Sequence, residues 1–375
     1  MVMSFKVDFP QTSFFTYLDT ASVGLLPKQS VEDIKRFLEL EEIFGSVYWP
    51  KWEGKVDELR KLTAKLIDAS AEEIALTSNT SYGLNIVANG IDWRRGENIV
   101  LNDLEFPANV FPWQNQAKIN GLEVKIARNI NGEIPVEEYE KLVDDKTRIL
   151  AVSWVEYSNG FKHDLKTLAE IAHSHGALLV VDGIQGIGSL KLSVSREKID
   201  LLSCGCSKWL ISPIGTGFLY VKKQLLGELK TTFIGWRSDV DFLDFTFREF
   251  KCHSSARRFE IGSPNFIGLH GMLASVKYIL KVGLDRIEEK NLSLAEQLVN
   301  YLRELKLKTE TPLVNGAPQS SIVSFKTSRV KELHEKLTRN RIVTSIRSGA
   351  IRVSPHFYND EEDVEKLITV IKQLI

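Results

Sequence analysis

The chain has 375 residues, 43% of them hydrophobic, and its 48 basic and 49 acidic side chains leave a formal net charge of −1. That length and apolar content suffice for a large domain plus a smaller one, and the interspersed charges, with no basic block, argue against nucleic acid as a partner. No apolar run approaches about 18 residues and no leader pattern opens the chain, so a cytoplasmic protein without a membrane span is expected.

Residues 1–27 read as an arm that ends in YLDTASVGLLP. After Pro27 a helical stripe begins with Val31, Ile34, Phe37 and Leu38, and a second carries Trp52, Val56, Leu59, Leu62 and Leu66. Residues 74–76 form a short strand that stops at Thr77-Ser78-Asn79-Thr80-Ser81. Small hydroxyl residues ahead of the run Leu84, Ile86, Val87 are N-cap chemistry. A strand that ends at a helix N-terminus also presents unpaired N–H groups to an anion.

A strand at 98–101 leads into EFPANVFPWQ, where Pro107 forbids a helix, so the next helix is expected to begin near Asn109. Strand, helix and strand follow over 123–127, 136–143 and 148–154. Asp164 caps a helix whose stripe is Leu165, Leu168, Ala169 and Ala172; Gly176 stops it, and His173 and His175 in its last turn are read as structural.

The stretch 177–220 organises the chain. It opens with a branched apolar run that reads as a buried parallel strand ending in Asp182. Cys204, Cys206, Ser207 and Lys208 follow on a second apolar stretch, and a glycine-punctuated turn enters GFLYV. Alone, Asp182 reads as a turn cap and Lys208 as a surface charge. Together, at the ends of buried strands, they fit pyridoxal phosphate, whose aldehyde needs a lysine amine for a Schiff base and whose ring nitrogen needs an acid. The alternation from about residue 70 to 223 gives a mostly parallel α/β sheet with helices on both faces. Thr80, Phe106, Asp182 and Lys208 all fall at the carboxyl ends of its strands, where such sheets bind ligands.

Past Lys223 the segment FIGWRSDVDFLDFTFREF is aromatic and acidic without a period, and Ser263-Pro264 reads as a turn before a helix. Two long helical stretches, a strand at 321–325, a helix around Leu333 and Leu337, a hairpin turning at Ser348-Gly349 and an amphipathic C-terminal helix complete a smaller C-terminal α/β domain. The expected division is 28–262 for the large domain and 263–375 for the small one, with the arm 1–27 adding to the latter. On the hairpin, Arg352 and Ser354 share one face; an arginine there either clamps a carboxylate or closes an internal salt bridge, and Arg347 is a second candidate. The three cysteines, with Cys252 the third, fit free thiols, and their spacing gives no metal site.

VVDGIQGIG followed by SKWLISPIGTGFLYV resembles the cofactor segment of the class V aminotransferases. These are fold type I pyridoxal-phosphate enzymes that include isopenicillin N epimerase-like proteins, kynureninases and cysteine desulfurases. The likeness runs from YLDTASVGLLP to IRVSPHFYNDEEDVEKL. It implies the fold type I architecture and a homodimer with active sites at the subunit interface. It also implies that Thr80 and Ser81 cradle the cofactor phosphate, that Ser207 and Lys208 form the anchoring segment, and that Ser263 reaches the phosphate of the neighbouring subunit.

Phe106 stands where many desulfurases place a histidine over the ring; its face can stack there but cannot shuttle a proton, and a core aromatic is the alternative. SWVEYSNGF lacks the asparagine usual near Tyr157, which leaves Gln185 for the ring hydroxyl. Arg352 is implied to bind the α-carboxylate of an amino-acid substrate. The implied function is an aminotransferase, with an epimerase or β-lyase as the alternative and a non-enzymatic cofactor-binding regulator behind both. Desulfuration is disfavoured because TSIRSGAIRVS holds no cysteine.

Overall fold

The computed structural model describes residues 5–374. A two-residue strand, β1 (Thr16–Tyr17), precedes the helices α1 (Lys28–Phe44) and α2 (Trp49–Leu66). Pro50 lies in the first turn of α2, where its missing N–H leaves no helical bond unmade. Strand and helix then alternate through β2 (Ile74–Thr77), α3 (Thr80–Gly90), β3 (Asn98–Asn102), α4 (Phe111–Asn120), β4 (Glu123–Ala127) and α5 (Val136–Leu142). They continue through β5 (Thr147–Ser153), α6 (Leu165–Ser174), β6 (Leu178–Asp182), β7 (Leu201–Gly205) and β8 (Gly217–Val221). The helix expected from Asn109 starts instead at Phe111, because Pro107–Asn109 closes as a separate 3-10 turn.

The strands form one sheet in the order β2-β8-β7-β6-β5-β3-β4, parallel except for β8, which runs antiparallel to both neighbours. Alternate residues feed two cores. Leu179, Val181, Leu202 and Phe218 pack on one face with Leu168 of α6; Val180, Leu201, Leu219 and Val221 pack on the other with Val87 of α3 and Trp113 of α4. Continuous apolar runs are what a sheet covered on both faces requires, and the expected α/β architecture is the one observed.

The chain continues with α7 (Phe266–Val282), α8 (Leu284–Glu304), the small hairpin of β9 (Leu313–Val314) and β10 (Ala317–Pro318), and β11 (Val323–Phe325). Last come α9 (Val330–Arg339), β12 (Ile342–Val343), β13 (Ser345–Arg347), β14 (Ala350–Val353) and α10 (Glu361–Lys372). The antiparallel sheet β11-β14-β13 sets Val323, Ile351 and Val353 against Leu294 and Leu298 of α8 and Leu367 of α10. The N-terminal arm joins this unit: β1 pairs in parallel with β12, and Asp19 bridges Ser354. Helix α7 packs on α1 and α2, with Phe266, Leu269 and Met272 in the same core as Trp52 and Val56. The expected boundary at 262/263 therefore falls ahead of a helix held by the larger unit, and we propose Gly283, between α7 and α8, as the start of the small one.

A buried polar seam lies where β3 and β5 end. Asn102 Nδ2 donates to Glu105 Oε1 (2.8 Å) and to Glu156 Oε1 (3.0 Å), while Ser153 gives Glu105 both its N–H and its hydroxyl, each at 2.6 Å. His163 Nε2 is 3.1 Å from Glu156 Oε1, and Glu156 Oε2 is buried without a partner. Each acid directly precedes an aromatic, Phe106 or Tyr157, and the two rings meet edge to face at 5.1 Å. Burial pushes the Glu156 carboxyl up to about 8, and the charges of Asp182 and Asp103 act in the same direction. Burial, with the charge of Glu156, also holds Glu105 well above the usual carboxylate range.

Glu156 thus keeps its proton in the folded chain to about pH 8 and in the unfolded chain only to about 4.5. Between those values the unfolded state binds fewer protons, so this group's contribution to stability declines as pH rises. Glu156→Gln fixes the side chain in its neutral form. Its thermal midpoint should therefore fall less steeply than the parent's between about pH 4.5 and pH 8, and equal slopes in the two proteins would place the buried proton elsewhere.

Candidate active site

Lys208 follows β7 on a loop that leaves its side chain only partly covered, and the ammonium lies 5.8 Å from the centre of the Phe106 ring. Burial lowers its proton affinity, Asp182 opposes that, and the charges of Arg352 and Arg347 add to it; the result is a pKa of about 8. Asp182 ends β6, next to Ser203 of β7 in register. Its Oδ1 accepts the Ile184 N–H at 2.9 Å, but Oδ2 is buried with no partner. Burial raises this acid to about 6, against the Ile184 hydrogen bond and the charge of Lys208. A buried carboxylate oxygen with no donor is costly, and a cationic N–H from a ligand would satisfy it.

The start of α3 faces the same strand ends. Asn79 caps the helix by accepting the Tyr82 N–H (2.9 Å), and Gly83 N–H bonds to Asn79 O, which leaves the Thr80 and Ser81 N–H groups without partners among the described residues. Thr80 Oγ1 accepts from Gly205 N–H at 2.8 Å, so its own hydroxyl hydrogen is free. Ser81 is exposed and, with Asn85 and Phe106, lines a cavity of about 510 Å³. Phe106 is 45% exposed and is not the core aromatic of the alternative reading. Ser207 is half-buried, and its carbonyl accepts from Gly24 N–H at 2.8 Å.

Gln185 is buried and donates to Ala21 O (3.1 Å) while accepting from Trp209 Nε1 (2.9 Å), so only one of its amide hydrogens is left for a ligand. Ser263 is exposed ahead of α7 and makes no hydrogen bond to the residues gathered here.

Arg352 is buried and largely committed inside the chain. Its Nη2 meets Asp19 Oδ1 at 3.1 Å and Ser22 Oγ at 2.6 Å, Nη1 donates to Tyr157 O at 2.8 Å, and Nε donates to Ser345 Oγ at 3.2 Å. The internal salt bridge considered at the sequence level is therefore present, and one Nη1 hydrogen remains for a substrate. Asp19, Ser22 and Gly24 are site residues that the sequence reading left inside an arm; an acid, a hydroxyl and a glycine in six irregular residues were the available signal. Gly24 is required there, since a Cβ would lie 2.0 Å from the Lys208 carbonyl oxygen.

These groups fit pyridoxal phosphate part by part. The free N–H groups and hydroxyl at the start of α3 suit its phosphate. Asp182 Oδ2 suits its ring nitrogen, Phe106 suits its ring face, and the Lys208 amine suits its aldehyde.

Known proteins agree with this fit. The chain is 28% identical to the uncharacterized aminotransferase YcbU of Bacillus subtilis, over 97% of this chain and 95% of that one. Its fold is similar to that of the cysteine desulfurase of Thermococcus onnurineus NA1, with TM-score 0.90 and 28% identity over 99% of this chain and 97% of that one. It is also similar to the cystine C–S lyase C-DES solved with its product cysteine persulfide, with TM-score 0.88 and 25% identity over 96% of this chain and 98% of that one. The family model for aminotransferase class-V matches residues 16–367, and the chain belongs to that family of pyridoxal-phosphate enzymes.

Proposed function

We propose that this chain is an aminotransferase, moving an amino group from an amino acid to a keto acid. The observation that carries the amino-acid chemistry common to this and the lyase reading is the pairing of a lysine held near pH 8 with a buried acid whose second oxygen lacks a donor among the described residues. When bound, pyridoxal phosphate acts as an electron sink for negative charge at the substrate α-carbon. Lys208 is the amine that would hold it, and its lowered proton affinity suits taking and returning the α-proton at neutral pH. Asp182 keeps a positive charge at the ring nitrogen favourable. Thr80, Ser81 and the α3 N-terminus hold the phosphate, and the remaining Arg352 N–H takes the α-carboxylate.

Phe106 offers a flat apolar face and no proton. Lys208 is therefore the group left to carry protons on its side of the ring. The same reading has the enzyme act in the cytoplasm as a homodimer, with Ser263 of each subunit turned toward the other's phosphate. The exposure of Ser263 and of the apolar side chains Phe233, Phe245 and Phe247 supports that arrangement.

A β-lyase is the second reading, favoured by the likeness to a C–S lyase. Desulfuration stays behind both, because Cys204 and Cys206 are buried and Cys252 accepts hydrogen bonds from Arg258 Nε (3.0 Å) and Nη2 (2.9 Å).

Lys208→Ala should lose both the visible absorbance of the lysine-bound cofactor and turnover; a variant retaining the two would remove the assignment. Asp182→Asn should keep that absorbance while turnover drops by about a hundredfold or more, because a neutral amide cannot hold charge on the ring nitrogen. Incubation of the parent with amino acids should release more than one equivalent of keto acid per site only when a second keto acid is supplied to take the amino group away. Ammonia or sulfide released without one would favour the lyase.

A further inference from the structure

The β13–β14 hairpin carries a second arginine, Arg347, that no carboxylate pairs with among the described residues. Ser348 (φ 48°) and Gly349 (φ 75°) make the turn in left-handed conformation, which fixes the register Ser345↔Arg352 and Arg347↔Ala350. Arg347 and Arg352 are therefore diagonal neighbours on one face of the hairpin. Both guanidiniums donate to one hydroxyl, Ser22 Oγ: Arg352 Nη2 at 2.6 Å and Arg347 Nη2 at 3.1 Å. The two cations thus lie within two hydrogen-bond lengths of each other.

They differ in what offsets them. Arg352 has Asp19, whereas the other bond of Arg347 goes to the carbonyl of Ile346, and no carboxylate pairs with it among the described residues. Like charges this close repel unless an anion lies between them or beside them.

Arg347 also borders a polar cavity of about 530 Å³, lined in part by Asn129, Asn131, Ser158 and Lys308. The one acid on its wall, Glu310, is matched by Lys326 at 2.9 Å and Lys308 at 3.6 Å, so it does not neutralise Arg347. One short segment of chain borders both the cavity and the site. Tyr157 packs its ring against Phe106 and gives its carbonyl to Arg352, and the next residue, Ser158, lines the cavity. Through the shared Ser22 hydroxyl, a molecule whose α-carboxylate meets Arg352 has Arg347 within two hydrogen-bond lengths of that anchor.

We propose that Arg347 binds an anionic group on the substrate side chain, so that the site selects short dicarboxylic amino acids. This rests on the amino-acid reading of the site and adds its substrate class. A planar guanidinium takes a carboxylate through two parallel hydrogen bonds, and an amide of the same shape offers only one acceptor to it.

The test uses the cofactor-loaded enzyme and measures dissociation constants by calorimetry and by the change in the cofactor's visible band. L-aspartate and L-glutamate are compared with their shape-matched neutral partners, L-asparagine and L-glutamine. The parent should bind the acidic pair at least about tenfold more tightly. Arg347→Gln should erase that ratio while leaving the constants for asparagine and glutamine close to the parent's. Arg347→Lys, which keeps the charge but not the fork, should retain part of it and serves if the Gln variant does not fold. Equal affinities for the two pairs in the parent, or a uniform loss for all four ligands in Arg347→Gln, would overturn the proposal while leaving the amino-acid reading intact. A parent that responds to none of the four would remove that reading, and this one with it.

Discussion

Half of one carboxylate has no bonding partner among the described residues, and the rest of the site is arranged about it. Asp182 is buried at the end of a strand that is itself buried, and its Oδ2 faces no donor. An acid in that position costs stability unless a cation comes to it. The parallel sheet is what makes the position available, because it brings the carboxyl ends of β3, β5, β6 and β7 to one edge. Lys208, the start of α3 and the Phe106 ring lie at that same edge.

The second constraint is the arm. Residues 19–24 touch each part of the site in turn: Asp19 pairs with Arg352, Ala21 accepts from Gln185, Ser22 receives both arginines, and Gly24 donates to Ser207 beside Lys208. The strand ahead of this segment is paired to β12, so the small unit and the lysine loop are tied through a few residues. A conformational change that opened the hairpin would have to break these bonds or carry the arm along. A side chain at Gly24 would push directly on the lysine backbone.

The sheet was legible because its strands are short branched runs with alternate residues sent to two cores, and because Asp182 and Lys208 stand at their ends. Register could also be read locally: the Ser348-Gly349 turn places Arg352 and Arg347 on one face without reference to anything distant. The pairing of Asp19 with Arg352 could not be read, since 333 positions separate them and neither sits in a pattern that names the other. The seam of Glu105, Glu156 and Asn102 was hidden for a related reason. Each acid follows a strand singly, and only the parallel packing of β3 beside β5 makes two isolated glutamates into a coupled pair. Long-range packing is likewise hidden from sequence rhythm, as with α7, which reads as the opening of a new unit and is buried against α1 and α2.

The charges around Lys208 show why the two hairpin arginines are not equivalent. Burial is the largest influence on the lysine and lowers its proton affinity; Asp182 pulls the other way, and the arginines add smaller repulsions. Arg352 is already half-offset by Asp19, so an anion arriving there finds a cation whose field is partly spent. Arg347 has no such counter-charge. An anion bound beside it would remove one of the repulsions acting on Lys208, and the amine would hold its proton more tightly with substrate in place than without. In the proposed reading, anchoring and proton transfer are coupled through the same few charges, and the sign of that coupling follows from Arg347, which pairs with no carboxylate among the described residues.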